Sequence, residues 1–196
     1  MMKSDVLPCK SKAALSENIV AICASGPSLT RADCLAVVAA GIPIIAVNSS
    51  WKAVPECSYI FSGDLQWWLA NRSTLPKHAQ KWSCNNRVNQ LLDVHYFEPD
   101  YRDAYNSGLR AILFATSLNA TKIILLGFDC SIKEGIHWHG NHERLGNPDD
   151  LCIKRWQRQF QRLSDYLDGK VEVINCSRKT ALLCFPQKAL DEVLEN

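Results

Sequence analysis

A chain of 196 residues with 47% hydrophobic residues and 22 Lys+Arg against 20 Asp+Glu has the size of one domain and enough apolar content to bury a core. Intrinsic disorder is excluded by that content, and a coiled coil by six Trp and eight scattered Pro. A net charge of +2 supplies no field for counterion-driven binding, so no nucleic acid is expected as a partner.

In chain order, short apolar runs alternate with segments of helical period, the pattern of a parallel sheet flanked by helices. Residues 1–17 lack this pattern and are expected to form a flexible or peripheral N-terminus. The first strand is expected over residues 19–24 (IVAICA), ending in Ser25-Gly26-Pro27-Ser28. A helix carried by Leu35, Val37 and Val38 and closed at Gly41 should follow. Residues 42–47 (IPIIAV) and 58–61 (SYIF) read as the next two strands, ending in Asn48-Ser49-Ser50 and Ser62-Gly63-Asp64. Residues 66–103 are the least regular stretch and are expected to be an irregular insert or lid, with residues 94–97 (VHYF) as one further short strand.

Asn106-Ser107-Gly108 opens a helix through Leu109, Ile112, Leu113 and Leu118, and residues 122–126 (KIILL) form a strand ending in Gly127-Phe128-Asp129. A loop with His137, His139 and His142 leads to an N-cap at Asn147, with Pro148 at the first helical position. The helix it starts carries Trp156, Phe160, Leu163 and Leu167 on one face and stops at Gly169. A last strand over 171–174 closes at Asn175, and 186–194 reads as a terminal helix. Five or six strands in β-α order make a single domain over 1–196: a Rossmann-like three-layer α/β/α fold with a mostly parallel central sheet. In such sheets ligands bind beyond the carboxyl ends of the strands.

No segment reaches the roughly 18 consecutive apolar residues of a membrane span, and the first residues lack a signal-peptide core. Nine cysteines form no C-x-x-C pair, and several stand inside apolar runs as small hydrophobes, which points to a reducing cytoplasm.

The polar clusters at the strand ends are the candidate site. The Ser25 to Ser28 turn lies between a strand and a helix, where backbone N–H groups can face an anion. It matches neither G-x-G-x-x-G nor the P-loop, and it is equally a β-α turn with a serine cap. Asn106, Ser107 and Gly108 repeat the arrangement, with a plain N-cap as the alternative. Asn48, Asp64 and Asp129 each follow a strand end, where a side chain reaches a ribose, a base edge or a metal, although each alone could be a turn former.

His137, His139 and His142 admit three readings: a general base or phosphate contact, a zinc site completed by Asp129 or Glu143, or a polar loop stacked on Trp138. One of Trp67 and Trp68 could be core while the other lines a cleft, and Trp156 is expected in the core. No G-x-S-x-G elbow is present, and Cys176 or Cys184 could be a nucleophile only with a lowered pKa.

Read in order, C-A-S-G-P-S-L (residues 23–29), A-V-N (46–48), N-S-G (106–108) and L-L-G-F-D (125–129) resemble the bacterial sialyltransferase-like family. They are also similar to the related group that includes archaeal 6-hydroxymethylpterin diphosphokinase, and small phage-encoded proteins of this length look similar too. The resemblance spans residues 19–185. It implies that Ser25, Gly26, Asn48 and Ser107 contact a nucleotide, and that a histidine of the loop activates the acceptor hydroxyl; His142 is preferred over His139 because the family's base follows the glycine. The family's phosphate-holding tyrosines are absent here, with Cys130-Ser131-Ile132-Lys133 in their place, so Lys133 or a histidine is expected at the phosphate.

The expected function is therefore a transferase using a nucleotide-activated donor, a metal-independent glycosyltransferase of sialyltransferase-like type that needs no cofactor. Its nucleotide site would comprise Ser25, Gly26, Pro27, Ser28, Asn48, Asn106, Ser107 and Gly108, flanked by Asp64, Asp129, His137 and Asn175. Two alternatives stand beside it: a Mg²⁺-dependent diphosphokinase with Asp64 and Asp129 at the metal, and a non-catalytic nucleotide-binding or phage assembly protein. A small-molecule nucleotide donor is the expected partner, with a homo-oligomer possible.

Overall fold

The computed structural model describes residues 17–102, 106–133, 135, 137–140 and 148–195. Seven strands form one sheet: β1 Ile19–Cys23, β2 Ile44–Val47, β3 Tyr59–Phe61, β4 Gln80–Ser83, β5 His95–Tyr96, β6 Lys122–Leu126 and β7 Glu172–Asn175. Their spatial order is β5-β4-β3-β2-β1-β6-β7, and every neighbouring pair is parallel. The six α-helices among the described residues are α1 Arg31–Ala39, α2 Leu65–Asn71, α3 Asn86–Leu91, α4 Ser107–Ser117, α5 Asp150–Leu167 and α6 Leu190–Leu194.

The central strands read as unbroken apolar runs because both of their faces are covered. Alternate residues serve opposite sides: Ala21, Cys23, Ile44, Ala46 and Ile124 join one buried cluster, whereas Val20, Ile22, Ile45, Val47 and Ile123 join the other. The first cluster is closed by α1, α2, α3 and α6 through residues such as Val37, Trp68, Val88 and Val193. The second is closed by α4 and α5 through Leu109, Ile112, Phe160 and Leu163. Three layers result, the expected Rossmann-like arrangement. Phe114 of α4 anchors the second cluster, stacking on Phe61 at 5.4 Å and on Trp82 at 4.9 Å between ring centroids.

The stretch 66–103 differs from expectation. It carries α2, β4, α3 and β5, so it continues the βα winding and extends the sheet by two outer strands. Helix α5 is capped by Asp149, whose carboxylate accepts from the Cys152 N–H at 2.8 Å; the expected cap, Asn147, lies outside the described residues. Leu35 of α1 is exposed, and Trp156 of α5 is only half-buried. Eight cysteines are described, all free. No described helix is long and apolar enough to cross a membrane.

Candidate functional site

From β1 the chain winds outward to β5 and then returns to set β6 against the other side of β1, so the strand order reverses between β1 and β6. At such a switch point the loops leaving neighbouring strands diverge and open a crevice at the carboxyl edge. A cavity of about 700 Å³ occupies that edge. It runs from Phe128, Trp156 and Phe160 beside β6, past Ser25 and Asn48, to Arg87 and Arg110 beyond β3 and β4.

Its floor is a close interlock of the turns after β1 and β6. Gly26 N–H donates to Gly127 O at 2.9 Å, and Ser28 donates to the Asp129 carboxylate through both its N–H, at 2.8 Å, and its hydroxyl. A Cβ on Gly26 would meet Gly127 O at 2.5 Å, and Gly127 itself stands at φ +69, where a side chain would strike Ala24 O. The N–H groups of Gly26 and Ser28 are thereby committed to protein acceptors, and Pro27 has none to offer. The turn lines the cavity through Ser25 and Gly26. Asp129, buried at 6% exposure, holds Ser28.

The loop after β7 underpins this floor. Ser177 Oγ accepts from Phe128 N–H at 2.8 Å, the Thr180 hydroxyl donates to Phe128 O at 2.8 Å, and Ala181 N–H donates to Asp129 O at 2.7 Å. Asn175 is buried in the root of that loop, accepting from Ser177 N–H and donating to Thr180 Oγ1, both at 3.1 Å. It is not part of the cavity wall and supports the site from below.

Arg178 of the same loop makes a two-pronged contact with Asp33 of α1, Nε and Nη2 each at 2.8 Å, while the Thr30 hydroxyl donates to the same carboxylate. The Arg178 guanidinium holds the Asp33 carboxyl below its ordinary value. A carboxyl whose folded pKa is depressed stabilises the fold above its unfolded value, near pH ~4, and that stabilisation is lost as pH falls through the folded value. Arg178→Gln is thus expected to lower stability at pH 7 by about 1 kcal/mol, because the exposed arginine is screened by solvent. The wild-type advantage should shrink below pH ~4, as urea titrations across that range would read; a difference that stays constant with pH contradicts the ion pair.

Above the floor, two amides face the cavity with polar atoms unsatisfied. Asn48 directly follows β2 at φ +51, a left-handed backbone for a non-glycine residue, and its buried Oδ1 has no hydrogen-bond partner among the described residues. Asn106 caps α4, its Oδ1 accepting from Leu109 N–H at 2.7 Å, while its buried Nδ2 is likewise without a partner there. Each such atom withdrawn from water without a hydrogen bond costs about 1–3 kcal/mol, and both residues line the cavity. Ser107 Oγ accepts from Gly63 N–H at 3.1 Å, and a Cβ on Gly108 would crowd the Phe128 ring at 3.2 Å. Asp64 caps α2, its Oδ1 accepting from Gln66 N–H at 2.8 Å and more weakly from Trp67 N–H.

Of the loop histidines, His137 lines the cavity, with Nδ1 2.9 Å from Ser25 Oγ. Trp138 N–H donates to Ser25 O at 3.0 Å, so the loop is tied to the β1 turn twice. His139 stacks on His137, rings nearly parallel and 5.1 Å apart, away from the cavity wall. His142, the preferred base, and Glu143 lie outside the described residues. Among the described residues no three His, Cys, Asp or Glu side chains are grouped to hold a metal.

Several wall residues escaped the sequence reading. Arg87 enters from α3 and Arg110 from α4; neither stands in a motif, and only the winding of the sheet brings them together. Lys133, expected at a phosphate, is exposed and absent from the wall. Trp67 lines the cavity while Trp68 is wholly buried, and Trp156 lines it as well. Burial pushes the Cys176 and Cys184 thiols up to about 11, which removes the lowered pKa that a nucleophile needs.

No protein-family model matches the chain, and no curated protein matches it. Among solved structures it is similar to the MAf glycosyltransferase from Magnetospirillum magneticum AMB-1, with a TM-score of 0.65 and 12% sequence identity. The match covers 92% of this chain and 35% of that one, so the chain spans about a third of the length of the protein it resembles. At that identity the likeness is one of fold.

Proposed function

We propose that the chain is a glycosyltransferase-like transferase that binds a nucleotide-activated donor in the switch-point cavity. The observation that carries this reading is the pair of buried amide atoms without a partner among the described residues, Asn48 Oδ1 and Asn106 Nδ2, one acceptor and one donor on the wall of a cavity of ligand size. A nucleotide offers both complementary groups on its ribose and base. The glycosyltransferase likeness in fold supports it, as do the ordered motifs of the sequence.

In the proposed reaction the acceptor hydroxyl oxygen attacks the anomeric carbon of the donor. The bond from that carbon to the phosphate oxygen breaks, the nucleotide leaves with the electron pair, and a loop histidine takes the hydroxyl proton. His142 and His139 are the bases implied by the resemblance. His137, held by Ser25 against the cavity, is the third candidate. Both Asp129 oxygens already accept from Ser28, and Asp64 Oδ1 caps α2, so neither carboxylate is wholly available to Mg²⁺, which favours the metal-independent route.

Thermal shifts with CMP, CDP, UDP, GDP and ATP, each with and without Mg²⁺, test the reading. At a hundredfold excess over Kd the right nucleotide is expected to stabilise the fold by about 2.7 kcal/mol, undiminished by EDTA. Replacing the base histidine with Ala should slow transfer by about 10²–10⁴-fold while nucleotide binding persists. No stabilisation by any nucleotide would falsify the proposal, and stabilisation without donor turnover would favour a binding protein.

A further inference from the structure

We infer that the β3–β4 end of the cavity is a subsite for an anionic group of the ligand, a phosphate or a carboxylate, held by Arg87 and Arg110. The inference rests on the reading of the cavity as a ligand site and adds the charge of what it takes.

The two arginines come from separate elements and line the same end of the cavity. Each stands in the first turn of its helix, a turn without an acidic residue in either case. The N–H groups there favour carboxylates and disfavour cations. Local preference is thus overridden in both helices, the kind of conflict that functional sites retain.

The backbone makes room for one of them. A Cβ on Gly63 would stand 2.8 Å from Arg110 Nη1, so the guanidinium lies across a glycine that a side chain would push aside. Gly63 is anchored in that position by its N–H bond to Ser107 Oγ. The Cys84 thiol beside Arg110 is raised by burial, the guanidinium opposing that shift, and so brings no negative charge at neutral pH.

Among the described residues, the carboxylates that line the cavity are Asp64 and Asp129. Asp64 is bound to the first N–H groups of α2, and Asp129 is bound to Ser28 at the far side of Asn48. Along the cavity an aromatic end at Phe128 and Trp156 gives way to the amides and then to the arginines. A ligand lying along it would carry its anion at the arginine end, where a guanidinium fork suits either oxyanion.

Isothermal titration of the full chain with inorganic pyrophosphate, D-glucuronate, cytidine and uridine tests this on the wild type, Arg87→Gln, Arg110→Gln and the double variant. Circular dichroism melting serves as the check that each variant is folded. The expected result is binding of pyrophosphate or glucuronate by the wild type, weakened about tenfold or more in each variant and falling with added salt. The tighter of the two names the source as phosphate or carboxylate. The neutral nucleosides should bind all four proteins alike.

Binding of neither anion to the wild type, or equal binding to the double variant, overturns the subsite. Nucleotides that bind with an affinity independent of both arginines also overturn it and leave the nucleotide reading standing. Arginine-dependent pyrophosphate binding without any nucleotide binding supports the subsite and removes that reading.

Discussion

Gly26→Ala is expected to lower stability by about 3 kcal/mol or more, the upper range for overpacking a position whose neighbours cannot retreat. The added methyl would stand 2.5 Å from Gly127 O and from Asp129 Cγ. Neither can withdraw: Gly127 O accepts the Gly26 N–H, and Asp129 is held through its carboxylate by Ser28 and through its carbonyl by Ala181. Relief would require parting the turns of β1 and β6, which carry the floor of the cavity. The same variant should therefore lose ligand binding along with stability. Urea unfolding measures the first and a nucleotide titration the second; a wild-type midpoint would mean that the interlock is looser than its geometry.

Asn48→Gly should behave in the opposite way, leaving stability within about 1 kcal/mol of wild type while weakening nucleotide binding about 10–100-fold. Two effects oppose each other in the fold. Glycine relieves the left-handed backbone at φ +51 and removes a buried acceptor without a partner, but it also makes the unfolded chain more flexible. Binding loses the hydrogen bond that Oδ1 would accept, and nothing replaces it. Asn106→Ala is the contrast, since it removes the α4 cap as well and should cost about 1 kcal/mol of stability. An Asn48→Gly protein that binds nucleotide as tightly as wild type would remove Asn48 from the site.

The parts of the fold legible in the sequence are those whose burial is two-sided. The short, β-branched apolar runs IVAIC of β1 and KIILL of β6, each followed by small polar residues, read as central parallel strands, and the polar residues that follow them mark the edge where the cavity lies. Gln80-Lys81-Trp82-Ser83 of β4 escapes because an outer strand with one half-solvated face needs no apolar run; only Ser83 of the four is fully buried. Asp129, Asp64 and Asn175 were legible as strand-end polar residues, but their hydrogen bonds turn toward the protein's own backbone and hydroxyls, a direction that residue type cannot encode. Arg87, Arg110 and the Ser25–His137 contact escape for another reason. The partners are 23 and 112 positions apart, and only the completed winding makes them neighbours.

That winding also sets an order in time. Strand β1 pairs with β6 in the register Ile19↔Lys122, so the centre of the sheet closes only after a loop of about a hundred residues has been drawn in, a step that makes such topologies slow to fold. A β1 to β5 half without β6 would hold Ser25 and Asn48 with no Asp129 to lock the turn and no His137 to meet the serine. A ligand gripped from both halves recognises only the closed sheet. It acts on the protein mainly by slowing escape from the native state, and a nascent chain has no site to offer until β6 is in place.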